Sequence, residues 1–156
     1  MPTVFRSRLH PDASSPREAV ARALTTLLPA LVVPFGLGLV LALMNQPLGP
    51  FWYVAAAYAA LFPFAVRLAL DRRTVELVLD GPDGTARSLW HVLRGGPAPP
   101  LVRVLDARRA APIVTVTLGR RVHELDEREW PDPDALVAAL SSAREAAREL
   151  PLDLPA

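Results

Sequence analysis

No charged residue and no histidine occurs between Arg22 and Arg67, a gap of 44 positions. A helix that crosses a bilayer needs roughly 20 apolar residues, so the tract has room for two crossings and a tight connection. The connection is the stretch "MNQPLGPFWY", 44–53, where Asn45, Gln46, Pro47, Gly49 and Pro50 supply polar caps and helix breakers. Phe51, Trp52 and Tyr53 follow, as expected at a water boundary where amphipathic rings prefer to lie. The expectation is a helical hairpin, its first helix over 23–43, its second over 51–70, and 44–53 as its tip.

Arginine sets the orientation of such a hairpin. The tip has none, whereas the far ends carry Arg17, Arg22, Arg67, Arg72 and Arg73. Arginine-rich flanks stay cytoplasmic, so both termini are expected inside and the tip outside. Arg67, one turn short of the helix end, can snorkel to the headgroups. Residues 1–70 carry a net +3 and residues 71–156 a net −2, so the basic excess lies beside the apolar tract. That distribution suits a membrane surface and not a nucleic-acid groove. All 17 basic residues are arginine, which with abundant Ala and Pro reflects a GC-rich genome.

Two other readings of the tract fit less well. A cleaved signal peptide has a shorter apolar core and a small-residue cleavage site. A buried soluble hairpin would place Pro29, Pro34 and Pro63 inside helices, at a cost of about 3 kcal/mol each in water. Transmembrane helices tolerate proline better. Gly36 and Gly38 on the first helix, and the pairs Ala55/Ala59 and Ala56/Ala60 on the second, allow close helix approach. Packing of the two helices on each other is favoured over dimerisation. The spans hold no acid or histidine, so they lack the groups of an ion or proton pathway.

From Asp71 the period changes. "TVELVLD", 74–80, alternates Val75, Leu77 and Leu79 against Thr74, Glu76 and Asp80, the pattern of a half-buried strand. "GPDG", 81–84, is a turn, and "TARSLWHVL", 85–93, reads as the return strand. Further strands are expected over 101–106 and 112–119, and "RRVHELDE", 120–127, either continues the last of these or pairs back with it, Gly119-Arg120 being able to form a two-residue turn. Asp132, Pro133 and Asp134 then open a helix. Leu136, Leu140, Ala143, Ala147 and Leu150 line one face of it, and it ends before Pro151. That face either covers the sheet or, as the lesser expectation, takes a protein partner through 133–150.

This order of elements resembles that of small bacterial two-helix membrane proteins carrying a cytosolic pleckstrin-homology-like domain. The resemblance covers most of the chain as an order of elements and matches no residue motif. It implies an antiparallel meander closed by one C-terminal helix, and it transfers no binding residues. Residues 72–150 are short for the seven strands usual in such domains, and a four-stranded sheet with one helix fits equally.

Few residues suggest chemistry. The chain has no cysteine, which excludes disulfides, thiolate metal sites and cysteine nucleophiles. In "HELDE", His123 and Glu127 would share a helical face as a metal pair, but the flanking residues are strand-like and a second histidine is missing. His91, beside Trp90, could meet His123 across the sheet; with Glu127 these are the candidates if the chain is an enzyme. "DGPDG", 80–84, lacks the spaced oxygens of a calcium loop, and no serine sits in a nucleophile elbow. Trp130 is expected to seal the C-terminal helix on the sheet, and Trp90 to lie in the core.

The expectation is therefore an α+β membrane protein. A cytoplasmic segment 1–22 leads into a transmembrane helical hairpin, 23–70. A small antiparallel sheet with a C-terminal amphipathic helix, 71–150, and a tail, 151–156, follow. Its place is the bacterial inner membrane, multi-pass, with both termini cytoplasmic. Its expected role is a non-catalytic interaction or regulatory module. The alternative is anionic-lipid binding through Arg22, Arg67, Arg72 and Arg73, with Arg108, Arg109, Arg120 and Arg121 on the domain. Membrane lipids are the expected partners; no cofactor, metal, catalytic residue or nucleic acid is expected, and no oligomeric state is assigned.

Overall fold

The computed structural model describes residues 2–25, 28–44 and 49–149. Five helices and six strands occur in it: β1 (Thr3–Arg6), α1 (Pro16–Leu24), α2 (Leu28–Leu43), α3 (Gly49–Arg72), β2 (Thr74–Asp80), β3 (Asp83–Ser88), α4 (Leu89–Leu93), β4 (Val102–Ala110), β5 (Ile113–Leu118), β6 (Arg121–Asp126) and α5 (Pro133–Glu149). The strands form one antiparallel meander in chain order, β1 to β6. The protein is thus an α+β chain with a six-stranded sheet. Tip residues Asn45, Gln46 and Pro47, and Leu150, expected on the C-terminal helix, lie outside the described residues.

The sheet begins before the apolar helices. Phe5 lies opposite Leu77 and Arg6 opposite Glu76, so the N-terminal segment is hydrogen-bonded to the strand that follows the hairpin. The Ser7 N–H continues the ladder to the Val75 carbonyl at 2.8 Å. α1 then opens on Ser15, whose hydroxyl accepts from the Glu18 N–H, with Pro16 at its first position. Its buried residues Ala19 and Ala23 join Leu9, Leu70, Val75 and Leu89 in a small second core between α1, the base of α3 and α4.

The main core fills the space between the sheet and α5. Leu77, Leu79, Val104, Val114, Val116, Leu118 and Leu125 from the strands meet Leu136, Leu140 and Ala143 from the helix. Trp130 lies among them, 2 % exposed, and closes the start of α5 on the sheet as the sequence predicts. The Asp132 carboxylate caps α5 by accepting from the Ala135 N–H at 2.9 Å. Irregularities in β2 between Thr74 and Glu76, and in β4 between Val104 and Asp106, bend the ladder. β3 and β4 share only the pairs Asp83–Arg103 and Gly84–Val102, and there the sheet splays. A Cβ at Gly84 would stand 2.8 Å from Leu79 Cδ2 and 3.2 Å from the Val78 carbonyl, so this crossing needs glycine.

Several local expectations change. The return strand expected over 85–93 ends at Ser88, whose hydroxyl accepts from the His91 N–H and caps the short helix α4. Glu76, expected on a solvated face, is 6 % exposed because the N-terminal segment covers that side of β2. The two-residue turn at Gly119-Arg120 forms as expected between paired Leu118 and Arg121, with Gly119 at φ 55°. β4 runs on to Ala110, longer than the six residues expected.

α2 and α3 turn their apolar side chains outward. Val32, Val33, Leu39 and Leu43 on α2, with Tyr53, Leu61 and Phe64 on α3, are all exposed. Gly38 is where the two helices meet, since a Cβ there would stand 2.6 Å from the Phe51 ring. Only Phe51–Arg72, 22 residues, is long and apolar enough to span a membrane among the described residues. Its length is about 33 Å at 1.5 Å per residue, while the 16 residues of α2 reach about 24 Å.

Candidate functional site

Four exposed arginines lie on α1 and near the end of α3. Arg17 and Arg22 lie on α1, and Arg67 and Arg72 on the last turns of α3. Arg94, just past α4, joins Arg67 on a single indole: their guanidinium carbons lie 5.3 and 5.8 Å from the Trp90 ring centre. Cation–π contact holds α4 against α3 and places two cations around one ring. Among the described residues, neither guanidinium lies within ion-pair distance of a carboxylate. Trp90 therefore sits at the margin of the second core, half-buried, instead of inside it.

Arginines farther along the sheet differ. Arg109 is bound to Glu127 at 2.6 Å and to Asp134 at 2.8 Å, which raises its pKa further, the Glu127 hydrogen bond contributing most. Arg108 pairs with Asp106 at 2.6 Å. Arg73 is also engaged, 2.7 Å from Glu129. Burial pushes the Glu129 carboxyl above its ordinary value, and Arg73 partly offsets the effect. Arg120 and Arg121 lie exposed at the β5–β6 turn.

Between the base of α3 and strand β6 lies a cleft of about 560 Å³. Ala65, Leu68 and Ala69 form its helical wall, and Arg72, Glu124, Asp126 and the paired Arg73 and Glu129 face it with charge. The side chains of Arg72 and Glu124 have no hydrogen-bond or ion-pair partner among the described residues. One Asp126 oxygen accepts from the Arg128 N–H at 3.0 Å and so caps the turn 127–129.

A second polar constellation is buried under the N-terminal segment. Glu76 receives a hydrogen bond from Arg87 at 3.1 Å, with Arg6 at 3.5 Å and His10 Nε2 at 3.3 Å from its other oxygen. His10 Nδ1 accepts from the Asp12 N–H at 3.2 Å, and an imidazole accepting there carries its proton on Nε2, toward Glu76. Arg87 also donates to the Gly96 carbonyl at 2.9 Å, and Arg6 to Asp12 at 2.7 Å. His10 Nε2 and Arg87 Nε make no hydrogen bond, but the Arg6 and Arg87 contacts to Glu76 clamp the first residues onto β2. The sequence carries no local signal for this clamp, because its members come from four separate segments.

The histidines expected as weak enzyme candidates are not assembled. His91 lies exposed on α4, 3.9 Å from Asp71. His123 lies on β6, where its Nδ1 is 3.3 Å from the Thr74 hydroxyl. Burial, then Arg121, pushes the His123 imidazole below its ordinary value, while Asp71 opposes them. Glu127 belongs to the Arg109 pair, on the turn after β6, so the helical spacing that would join it to His123 does not exist. No group of three or more potential metal-ligating side chains occurs among the described residues. Comparisons with protein-family models, curated proteins and solved structures find no match to this chain.

Proposed function

We propose that this chain is a two-pass protein of the bacterial cytoplasmic membrane whose sheet-and-helix body is a non-catalytic interaction or regulatory module on the cytoplasmic side. The antiparallel pairing of β1 with β2 carries this reading. Strands on either side of the apolar hairpin share one ladder, so both hairpin ends lie on the same side of any membrane it enters. An even number of crossings follows. The outward apolar side chains of α2 and α3 support it further, since lipid would cover what the body leaves bare. The shorter α2 is accommodated by local thinning of the bilayer and snorkelling of its flanks. The test is alkaline carbonate extraction of membranes from cells expressing the full chain. The protein is expected to stay in the pellet, and its release into the supernatant would end the reading.

A second reading, anionic-lipid contact by the same body, is favoured by the stack of Arg67 and Arg94 on Trp90. Two guanidinium groups on one indole, with no carboxylate partner among the described residues, favour an anion beside them, and anionic headgroups would supply it. Regulation through a protein partner on 133–150 has less support, because the apolar face of α5 is buried in the chain's own core.

A further inference from the structure

We propose that the cleft between the base of α3 and strand β6 holds the headgroup of an aminophospholipid, with its phosphate on Arg72 and its primary amine on Glu124 and Asp126. The inference rests on the membrane reading above and adds a ligand class to it.

The cleft has three kinds of wall, and each restricts the occupant. Ala65, Leu68 and Ala69 continue the apolar surface of the spanning helix, and Leu68 is 41 % exposed there. An occupant needs an apolar portion running along α3, which a soluble metabolite does not have. Arg72 offers a guanidinium that no carboxylate occupies, at the last turn of the helix, where lipid phosphates lie. Arg73, beside it, is already held by Glu129.

The third wall excludes the simplest lipid. Among the described residues Glu124 has no partner, and Asp126 spends one oxygen on the Arg128 N–H, which leaves the other for a ligand. Two carboxylates against one free arginine repel a headgroup that carries only negative charge. They suit a group with a cation beyond its phosphate. Carboxylates discriminate further, because a primary ammonium donates three hydrogen bonds and a trimethylammonium none. A phosphate with a primary amine on a short linker, attached to acyl chains, meets all three walls. The volume lies within the usual range for small-ligand pockets.

The test uses the full chain, purified in detergent and equilibrated with equimolar phosphatidylethanolamine, phosphatidylcholine and phosphatidylglycerol. Bound lipid is read by native mass spectrometry. Phosphatidylethanolamine is expected to exceed phosphatidylcholine about tenfold, the size of one charge-assisted hydrogen bond. The double variant Glu124→Gln, Asp126→Asn keeps the side-chain shapes and the turn cap, and should bring the two lipids level. Arg72→Gln should lower both together, since both carry the phosphate. Equal retention of phosphatidylethanolamine and phosphatidylcholine by the wild type, a phosphatidylglycerol preference that survives Arg67→Gln with Arg94→Gln, or an unchanged ratio in the double variant would overturn the proposal. So would displacement by free phosphoethanolamine at the same concentration as the lipid, which would make the ligand soluble. A carbonate-resistant protein with no such preference loses the cleft proposal alone, whereas one released by carbonate loses both.

Discussion

Phe5 stands directly opposite Leu77 in the β1–β2 ladder, although both apolar helices come between them in the chain. The two residues meet in the main core beneath the sheet. This pairing closes the loop that contains both apolar helices, so the body cannot be completed by the residues after them alone.

The topology prediction follows from that pairing. The chain has no cysteine, so single cysteines report cleanly. Met44→Cys, at the end of α2, should react with a membrane-impermeant maleimide in intact cells, whereas Arg120→Cys at the β5–β6 turn should react only after permeabilisation. The reverse pattern would invert the orientation, and labelling of both in intact cells would remove the anchor.

Glu76 is the centre of the polar clamp, with Arg87, Arg6 and His10 all within 3.5 Å. Glu76→Ala leaves the largely buried Arg87 guanidinium without its carboxylate, and breaking such a pair costs about 3–5 kcal/mol. Arg6 is half-exposed, and removing an exposed partner costs under ~1 kcal/mol. Thermal melting of the full-length protein in detergent should therefore separate Glu76→Ala sharply from Arg6→Ala. Equal melting temperatures would show that the clamp does not hold β1.

Leu140 is buried between α5 and the sheet, while Ser141, its neighbour, is exposed. Leu140→Ala should cost about 2–5 kcal/mol and Ser141→Ala under ~0.5 kcal/mol. The emission of buried Trp130 reports the transition directly. A stable Leu140→Ala protein that loses a binding partner would make α5 an interface.

His123 gives stability a pH dependence. Its folded-state value lies below the ordinary 6.5, chiefly through burial. As pH falls through that ordinary value, the unfolded chain takes up a proton that the folded chain resists, so stability drops until the folded imidazole titrates. The midpoint of unfolding should decline from pH 7.5 toward 5.5 in the wild type and less steeply in His123→Gln. Identical slopes would place His123 in an environment like water.

For the arginine stack, Arg67→Gln with Arg94→Gln should reduce the enrichment of phosphatidylglycerol in co-purified lipid. Each arginine near an anionic surface contributes about 1 kcal/mol, and the difference should shrink with added salt. Unchanged enrichment would limit the stack to fastening α4 on α3.

The parts of the fold legible in the sequence are those whose signal is local. The α5 face shows in the spacing of Leu136, Leu140, Ala143 and Ala147, and the Gly119 turn in its residue type. Strand β1 has four residues, too few for alternation to speak, and its partner is distant. Alternation places Glu76 toward water because it assumes one bare face, and the N-terminal segment covers that face. The end of β3 depends on Ser88, which reads as a strand residue until its hydroxyl is seen capping α4. The cleft was half legible. Arg72 stands out beside the tract, but Glu124 and Asp126 reach it only because the meander brings β6 back to the foot of α3.

Only Arg73 separates the last residue of α3 from the first of β2. With α1 and α4 packed on either side of that joint, no slack remains between the apolar helix and the sheet. The body is mounted on its helix like a flag on a pole: a tilt or rotation of α3 turns the whole sheet by the same angle. On the membrane reading proposed above, changes in bilayer thickness, which tilt long helices, would become changes in which face of the sheet looks away from the membrane.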